Sequence, residues 1–247
     1  MTRCVCYRPE VSYDRAQHAS GIGIGGRITP GVKGLILANV AVFALQKLES
    51  FVGPGTMEPI FGLTPSIAFG HTWWLWQLVT YMFLHSTSWL GHLLLNMLML
   101  WMFGAEVERA LGTREFVKYY FVCGIGAGLT SCLMFWDNRT IGASGAVFGV
   151  MLAYAFLFPG RQILFWFIFP MSALTFVLLC TGIELYSLLS LSDNVAHIAH
   201  LGGMLFGYLY LKRVWRIRQF VDELRWKLRR RKFRVMRRGD DRPYPFH

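Results

Sequence analysis

Ser144 stands between glycines in Gly142-Ala143-Ser144-Gly145, at the start of an apolar run, and that placement suits a nucleophile. The glycines clear side-chain bulk from around the hydroxyl, so neighbouring helices and a substrate backbone can approach it. A serine hydroxyl attacks only when a base takes its proton, and imidazole, with a pKa near 6.5, does this at neutral pH. His200, followed by Gly203 and Gly207, supplies such an imidazole on a helix face that a neighbour can approach closely. His92 and Asn96 share another helix face. With the backbone N–H of Ser144 they offer donors for the oxyanion of a tetrahedral intermediate. No Asp or Glu falls within the apolar runs near His200, so the chemistry expected is that of a Ser-His dyad without an acidic orienter. The plainer reading of the same stretch makes Gly145 and Gly149 a helix-packing face and Ser144 a helix cap.

What must hold these groups is a set of membrane helices. Hydrophobic residues make up 54% of the chain and charged ones 16%, with a mean hydropathy of +0.40; a soluble domain carries about 25% charge. The expected class is an all-α polytopic membrane protein of six spans. The first apolar run, Leu35 to Leu45 with shoulders to Val52, is the weakest and needs Lys33 and Lys47 to snorkel. The connection from Gly53 to Ser88 holds Pro54, Pro59, Pro65 and the cluster Trp73-Trp74-Leu75-Trp76, which places it in the interface as short amphipathic pieces. A second span is expected over Trp89 to Ala105 and a third over Phe116 to Phe135, the latter with Gly124, Gly126 and Gly128 for close packing. The fourth, from Ser144 to Phe158, is shorter than the roughly 20 residues that cross a bilayer, so Ser144 is expected below the surface. The fifth, Ile163 to Ile183, contains Pro170, expected to kink it. Its Phe165, Trp166, Phe167 and Phe169 suggest a lateral gate. The sixth is Val195 to Leu211.

Charge gives the topology. The net charge is +11, from 25 Lys plus Arg against 14 Asp plus Glu. With both termini in the cytoplasm, only Lys47 and Arg139 fall outside, as the retention of basic residues inside requires. Ser144, His92 and Asn96 then lie near the outer surface, and His200 roughly 6 Å below the start of its span, in the same layer. Residues 1–30 are polar and carry no signal peptide pattern, so they read as a cytoplasmic segment ahead of a membrane domain over 31–211. From 212 to 247 the chain is basic, with Val214, Ile217, Val221, Leu224 and Leu228 at helical spacing, a surface helix whose expected partner is anionic lipid, not nucleic acid. The five cysteines form no framework, and Cys4-Val-Cys6 lacks zinc spacing, so reduced thiols are expected.

Taken together, the motifs resemble those of the rhomboid intramembrane serine proteases. Gly142-Ala143-Ser144-Gly145 is similar to the family's Gly-x-Ser-Gly, and Ala199-His200-Leu201-Gly202-Gly203 through Gly207 to its Ala-His-x-x-Gly-x-x-x-Gly. His92 to Asn96 resembles its His-x-x-x-Asn, and Glu108 to Gly112 its Glu-x-x-x-Gly. The resemblance covers about residues 30–211. It implies a six-helix fold, no metal or cofactor, and cleavage of transmembrane protein substrates in or near their membrane segments. It carries the nucleophile to Ser144, the base to His200 and oxyanion stabilisation to Asn96 and His92, with Gly142, Gly145, Phe148, Gly149, Gly203 and Gly207 in substrate binding or helix packing. A bacterial cytoplasmic membrane is the expected location.

Two departures stand out: Trp76-Gln77 replaces a Trp-Arg pair in the first outer loop, and Phe148 replaces a tyrosine that stacks on the histidine. His197 lacks the glycines that mark His200 and reads as lining a water path or bonding a loop carbonyl, while His85 and His71 read as exposed or capping residues, with His85 also able to face the cavity. Two other functions compete: an inactive relative that binds transmembrane helices, and a haem or metal protein using His92, His197 and His200. The latter has no inward carboxylate in view.

Overall fold

The computed structural model describes residues 27–53, 55–70, 73–165, 169–189 and 194–230. Helix α1 (Pro30–Val52) starts on a proline at its first turn, where the missing N–H costs nothing. Three short helices follow, α2 (Met57–Phe61), α3 (Pro65–Ala68) and α4 (Gln77–Thr80), then a 3₁₀ turn over Tyr81–Phe83. Helix α5 (Leu90–Met99) runs through a π-helical turn, Leu100–Gly104, into α6 (Ala105–Leu111). Helix α7 spans Thr113–Met134, α8 Ser144–Leu157, α9 Ala173–Leu189 and α10 Asn194–Arg230; strands β1 (Gln162–Phe165) and β2 (Phe169–Ser172) precede α9. Among the described residues, three helices are long and apolar enough to cross a bilayer: Pro30–Val52, Leu90–Leu111 and Thr113–Met134. The chain divides at Tyr210 and Leu211 into two units. The Cys4-Cys6 pair, His71, Pro54, Trp166 and Phe167, and the side chains of the basic tail beyond Arg213, lie outside the described residues.

One expected span is corrected. Ile163 to Ile183 is not a kinked helix: Gln162–Phe165 pairs antiparallel with Phe169–Ser172, and Pro170 sits opposite Leu164 in that hairpin. Proline removes a backbone donor and ends helices, so the helix begins only at Ala173, after the proline, and continues to Leu189. The shift brings Glu184 inside a helix that the sequence reading ended one residue before it.

The helices meet through small residues and a few buried polar anchors. Glu108 is 2% exposed. Its carboxylate accepts the N–H groups of Gly31 and Val32 at 2.9 and 2.8 Å, so a side chain of α6 caps the orphan donors at the start of α1. Thr113 adds its hydroxyl at 2.7 Å, and Thr29 donates another. That is the structural meaning of the Glu108 to Gly112 motif, and Gly112 takes φ +87°, open to glycine alone at little cost.

Gln77 holds the connection between α1 and α5 without an arginine. Fully buried, it accepts the Thr64 N–H at 3.1 Å and donates to the carbonyls of Ile60 and Pro59 at 3.1 and 3.3 Å. Gln77→Ala is expected to leave the Thr64 N–H and the Pro59 carbonyl unpaired, while the Ile60 carbonyl keeps the Trp76 indole N–H at 3.3 Å, and to cost roughly 2 kcal/mol, read as a lower unfolding temperature in detergent. An unchanged transition would show that the loop is held elsewhere.

Candidate active site

The serine loop is tied down on one side by the connection between α1 and α5. Leu63 and Thr140 exchange backbone hydrogen bonds at 3.0 and 2.8 Å, and the Gly142 N–H donates to the Tyr81 carbonyl at 2.9 Å. Gly142 has φ +117°, and a Cβ there would come within 2.8 Å of His92 Nε2. Only glycine fits that turn, which leads directly into α8 with Ser144 as its first residue. The turn therefore sets both the height and the direction of the hydroxyl.

Helices α8 and α10 then touch backbone to backbone. A Cβ on Gly203 would fall onto the Gly145 carbonyl, and one on Gly145 would lie 3.2 Å from the Ala199 carbonyl oxygen. Gly149 and Gly207 instead make room for side chains of α7, Cys123 and Tyr119. The helices close enough to bring His200 Nε2 within 2.7 Å of Ser144 Oγ. Phe148, one turn along α8, stacks on the His200 ring with centroids 4.3 Å apart and planes at 12°. The lost tyrosine hydroxyl is not needed for that stacking.

The pair opens into a cavity of about 460 Å³, lined also by His92, Asn96, Gly142, Gly145 and Phe148. Gly149, Gly203 and Gly207 lie outside that lining and act in packing. His92 Nδ1 accepts the Ser86 N–H at 3.3 Å, which leaves the ring proton on Nε2, the nitrogen beside Gly142. Asn96 spends one amide hydrogen on the His92 carbonyl, at 2.8 Å, and keeps the other. Two donors thus remain beside the serine.

Four readings from sequence are revised here. Glu184, buried at 7% exposure, places Oε1 3.0 Å from His200 Nδ1 and Oε2 2.6 Å from His197 Nδ1. An acidic group therefore does stand behind the base, and the dyad expected without an orienter is corrected. The only signal for it in sequence was a lone carboxylate in the apolar stretch Ala173–Leu189, a costly residue there. His197 bonds this carboxylate, not a loop carbonyl. The carboxylate missing from the metal reading is also present, since Glu184, His197 and His200 bring donor atoms within 4.8 Å of one another.

His85 is the fourth revision: it is fully buried, not exposed. Gln46 clamps its backbone, accepting its N–H at 3.0 Å and donating to its carbonyl at 3.1 Å, and its ring meets His92 edge-on at 5.0 Å. Burial, then the neighbouring His92, pushes its pKa down to about 4. Because the folded value lies below the unfolded one, its contribution is whole above about pH 6.5 and is lost as pH falls toward 4, in total about 3 kcal/mol. Thermal unfolding across that window should show an acid loss that His85→Gln reduces; parallel losses in both proteins would assign it to another group.

Fold and site define a helical membrane protein with a serine and a histidine in hydrogen-bond contact at a cavity. The Rhomboid domain profile matches residues 72–217, more than half of the chain, and the chain belongs to the rhomboid family. It is 33% identical over 162 residues to Rhomboid protein 1, mitochondrial, of Saccharomyces cerevisiae, covering 58% of this chain and 42% of that one. It is 30% identical over 206 residues to the Presenilin-associated rhomboid-like protein, mitochondrial, of Mus musculus, covering 80% and 50%. With Rhomboid protease GluP of Bacillus subtilis it shares 28% over 133 residues, 54% of this chain and 25% of that one. The chain thus spans half or less of the length of each of these relatives.

Proposed function

We propose that this protein is an intramembrane serine endopeptidase that hydrolyses peptide bonds in or near the transmembrane segments of other membrane proteins. The observation that carries this reading is the 2.7 Å contact between His200 Nε2 and Ser144 Oγ at a cavity with free donors beside it. In the reaction, Ser144 Oγ bonds to the scissile carbonyl carbon as its proton passes to His200 Nε2. The carbonyl oxygen becomes an oxyanion, met by the spare Asn96 amide hydrogen, the His92 Nε2–H and the Ser144 backbone N–H. Collapse breaks the C–N bond, His200 gives the proton to the leaving amine, and a water activated by the same imidazole releases the acyl group. The named protease among the relatives supports the assignment.

The same reading takes six spans, with α8, α9 and the part of α10 before Leu211 added to the three long helices, and both termini on the same side of the membrane. It divides the chain into a segment over 1–30, a membrane domain over 31–211 and a lipid-facing basic tail over 212–247. Relatives named as mitochondrial support a mitochondrial membrane over the bacterial one expected from sequence. The test is cleavage of a single-span reporter, carrying helix-breaking residues in its span, by detergent-purified protein. Equal product from wild type and Ser144→Ala would sink the assignment.

Within that assay Asn96→Ala and His92→Ala are each expected to lower kcat by about 10²-fold with little change in KM, because their donors act on charge that exists only in the transition state. A rise in KM alone would move them to substrate binding.

A further inference from the structure

Behind the base lies an arrangement that a serine-histidine pair alone does not require. Among the described residues, no aligned hydrogen-bond acceptor serves His200 Nδ1, which is buried. The Glu184 carboxylate is nonetheless 3.0 Å from it, off the N–H axis, while the other carboxylate oxygen holds His197 Nδ1 at 2.6 Å. The glutamate projects from α9 and both histidines from α10, one helical turn apart, so one carboxylate bridges two rings of the neighbouring helix. An ionised carboxylate only accepts, so each neutral ring facing it carries its proton on Nδ1. For His200 this leaves the Nε2 lone pair on Ser144, the tautomer a general base needs.

A metal ion is the competing use of these three side chains. Two ligands on one tetrahedral zinc, each about 2.0–2.1 Å from it, stand roughly 3.3 Å apart or more. The separations here, 2.6 and 3.0 Å, are both shorter than that, with no room for an ion between the groups.

Resting on the protease reading, we infer that Glu184 is a positioning residue that fixes the His200 tautomer and steadies the imidazolium formed when Ser144 gives up its proton, with His197 holding the second carboxylate oxygen in place. The loose alignment at His200 is that of a resting site, and it tightens as positive charge develops on the ring. The mechanism is then a serine-histidine-glutamate relay of positions, in which Glu184 keeps its charge and the proton travels only between Ser144 and His200.

The test has two arms on the full chain in lipid nanodiscs. In the first, ¹⁵N-histidine spectra report the tautomers, with His200→Gln and His197→Gln spectra identifying each ring. Wild type should show both with the proton on Nδ1, and Glu184→Leu should return His200 to the Nε2–H form. Wild-type His200 already in the Nε2–H form overturns the inference, whether or not the protein cleaves anything. In the second arm, Glu184→Gln should lower kcat on the reporter and the labelling rate of Ser144 by a fluorophosphonate about 10²-fold, with KM within about 2-fold and partial recovery in Glu184→Asp. A Glu184→Gln protein that melts earlier yet labels at the wild-type rate per folded molecule gives the glutamate a merely structural role and overturns the inference. Failure of the protease reading is seen separately, as wild type that is neither labelled at Ser144 nor able to cut the reporter.

Discussion

Ser144→Ala and His200→Ala are each expected to reduce reporter cleavage by about 10⁴-fold, and the double variant by little more. The reason is that the two side chains work as a unit. Without Oγ there is no atom to bond the carbonyl carbon; without Nε2, 2.7 Å away, the hydroxyl keeps its proton. Donors in the cavity persist in both variants and leave a residual rate. His197→Ala should behave differently, because that ring reaches the reaction only through Glu184; a loss of about 10-fold is expected from weakened positioning. Additive losses in the double variant would mean that Ser144 and His200 act in separate steps, and a dead His197→Ala with an active His200→Ala would exchange their roles. The measurement is initial rate per folded molecule, with the unfolding transition recorded for each variant.

Gly203→Ala should damage fold and activity together, although it adds only one methyl group. The methyl would land on the Gly145 carbonyl, a backbone atom that cannot swing aside as a side chain would. Helices α8 and α10 must part, at a cost of roughly 3 kcal/mol for overpacking. Because Ser144 rides on one helix and His200 on the other, a separation of about 1 Å would break their contact and lower kcat by about 10²-fold. Gly182→Ala is the control. It lies in the middle of α9 with nothing within 4 Å of the added atom, so the substitution should be neutral or slightly stabilising. Equal behaviour of the two variants would mean that the Gly145–Gly203 contact does not set the spacing of the site.

These contacts also explain how far the sequence could be read. Motif spacing was informative because a helix converts residue number into direction: His92 with Asn96, and His200 with Gly203 and Gly207, share faces whatever the rest of the chain does. The two-glycine serine turn is local in the same sense, since φ +117° at Gly142 selects its own residue. Hydropathy found the long helices for a similar reason, because a bilayer accepts only segments that satisfy their own backbone. It failed between Ile163 and Ile183, where a continuous apolar run conceals a change from hairpin to helix; apolarity reports burial in lipid or protein, and proline alone marks the break.

By itself, then, the sequence determined the membrane class, the order and register of the serine, histidine and asparagine motifs, and the glycines that permit close approach, since each depends on residues near one another along the chain. Only the tertiary structure decided what surrounds them. His85 became a buried neighbour of His92 because Gln46, on another helix, takes both of its backbone groups. Gln77 anchors the connection between α1 and α5 because it reaches three backbone groups that are distant in sequence. Glu184 came to stand behind His200 because the packing of α9 against its neighbours carries a lone carboxylate to two imidazoles. No spacing rule links residues on different helices, and at such sites the burial of charge is settled by the partner that packing supplies.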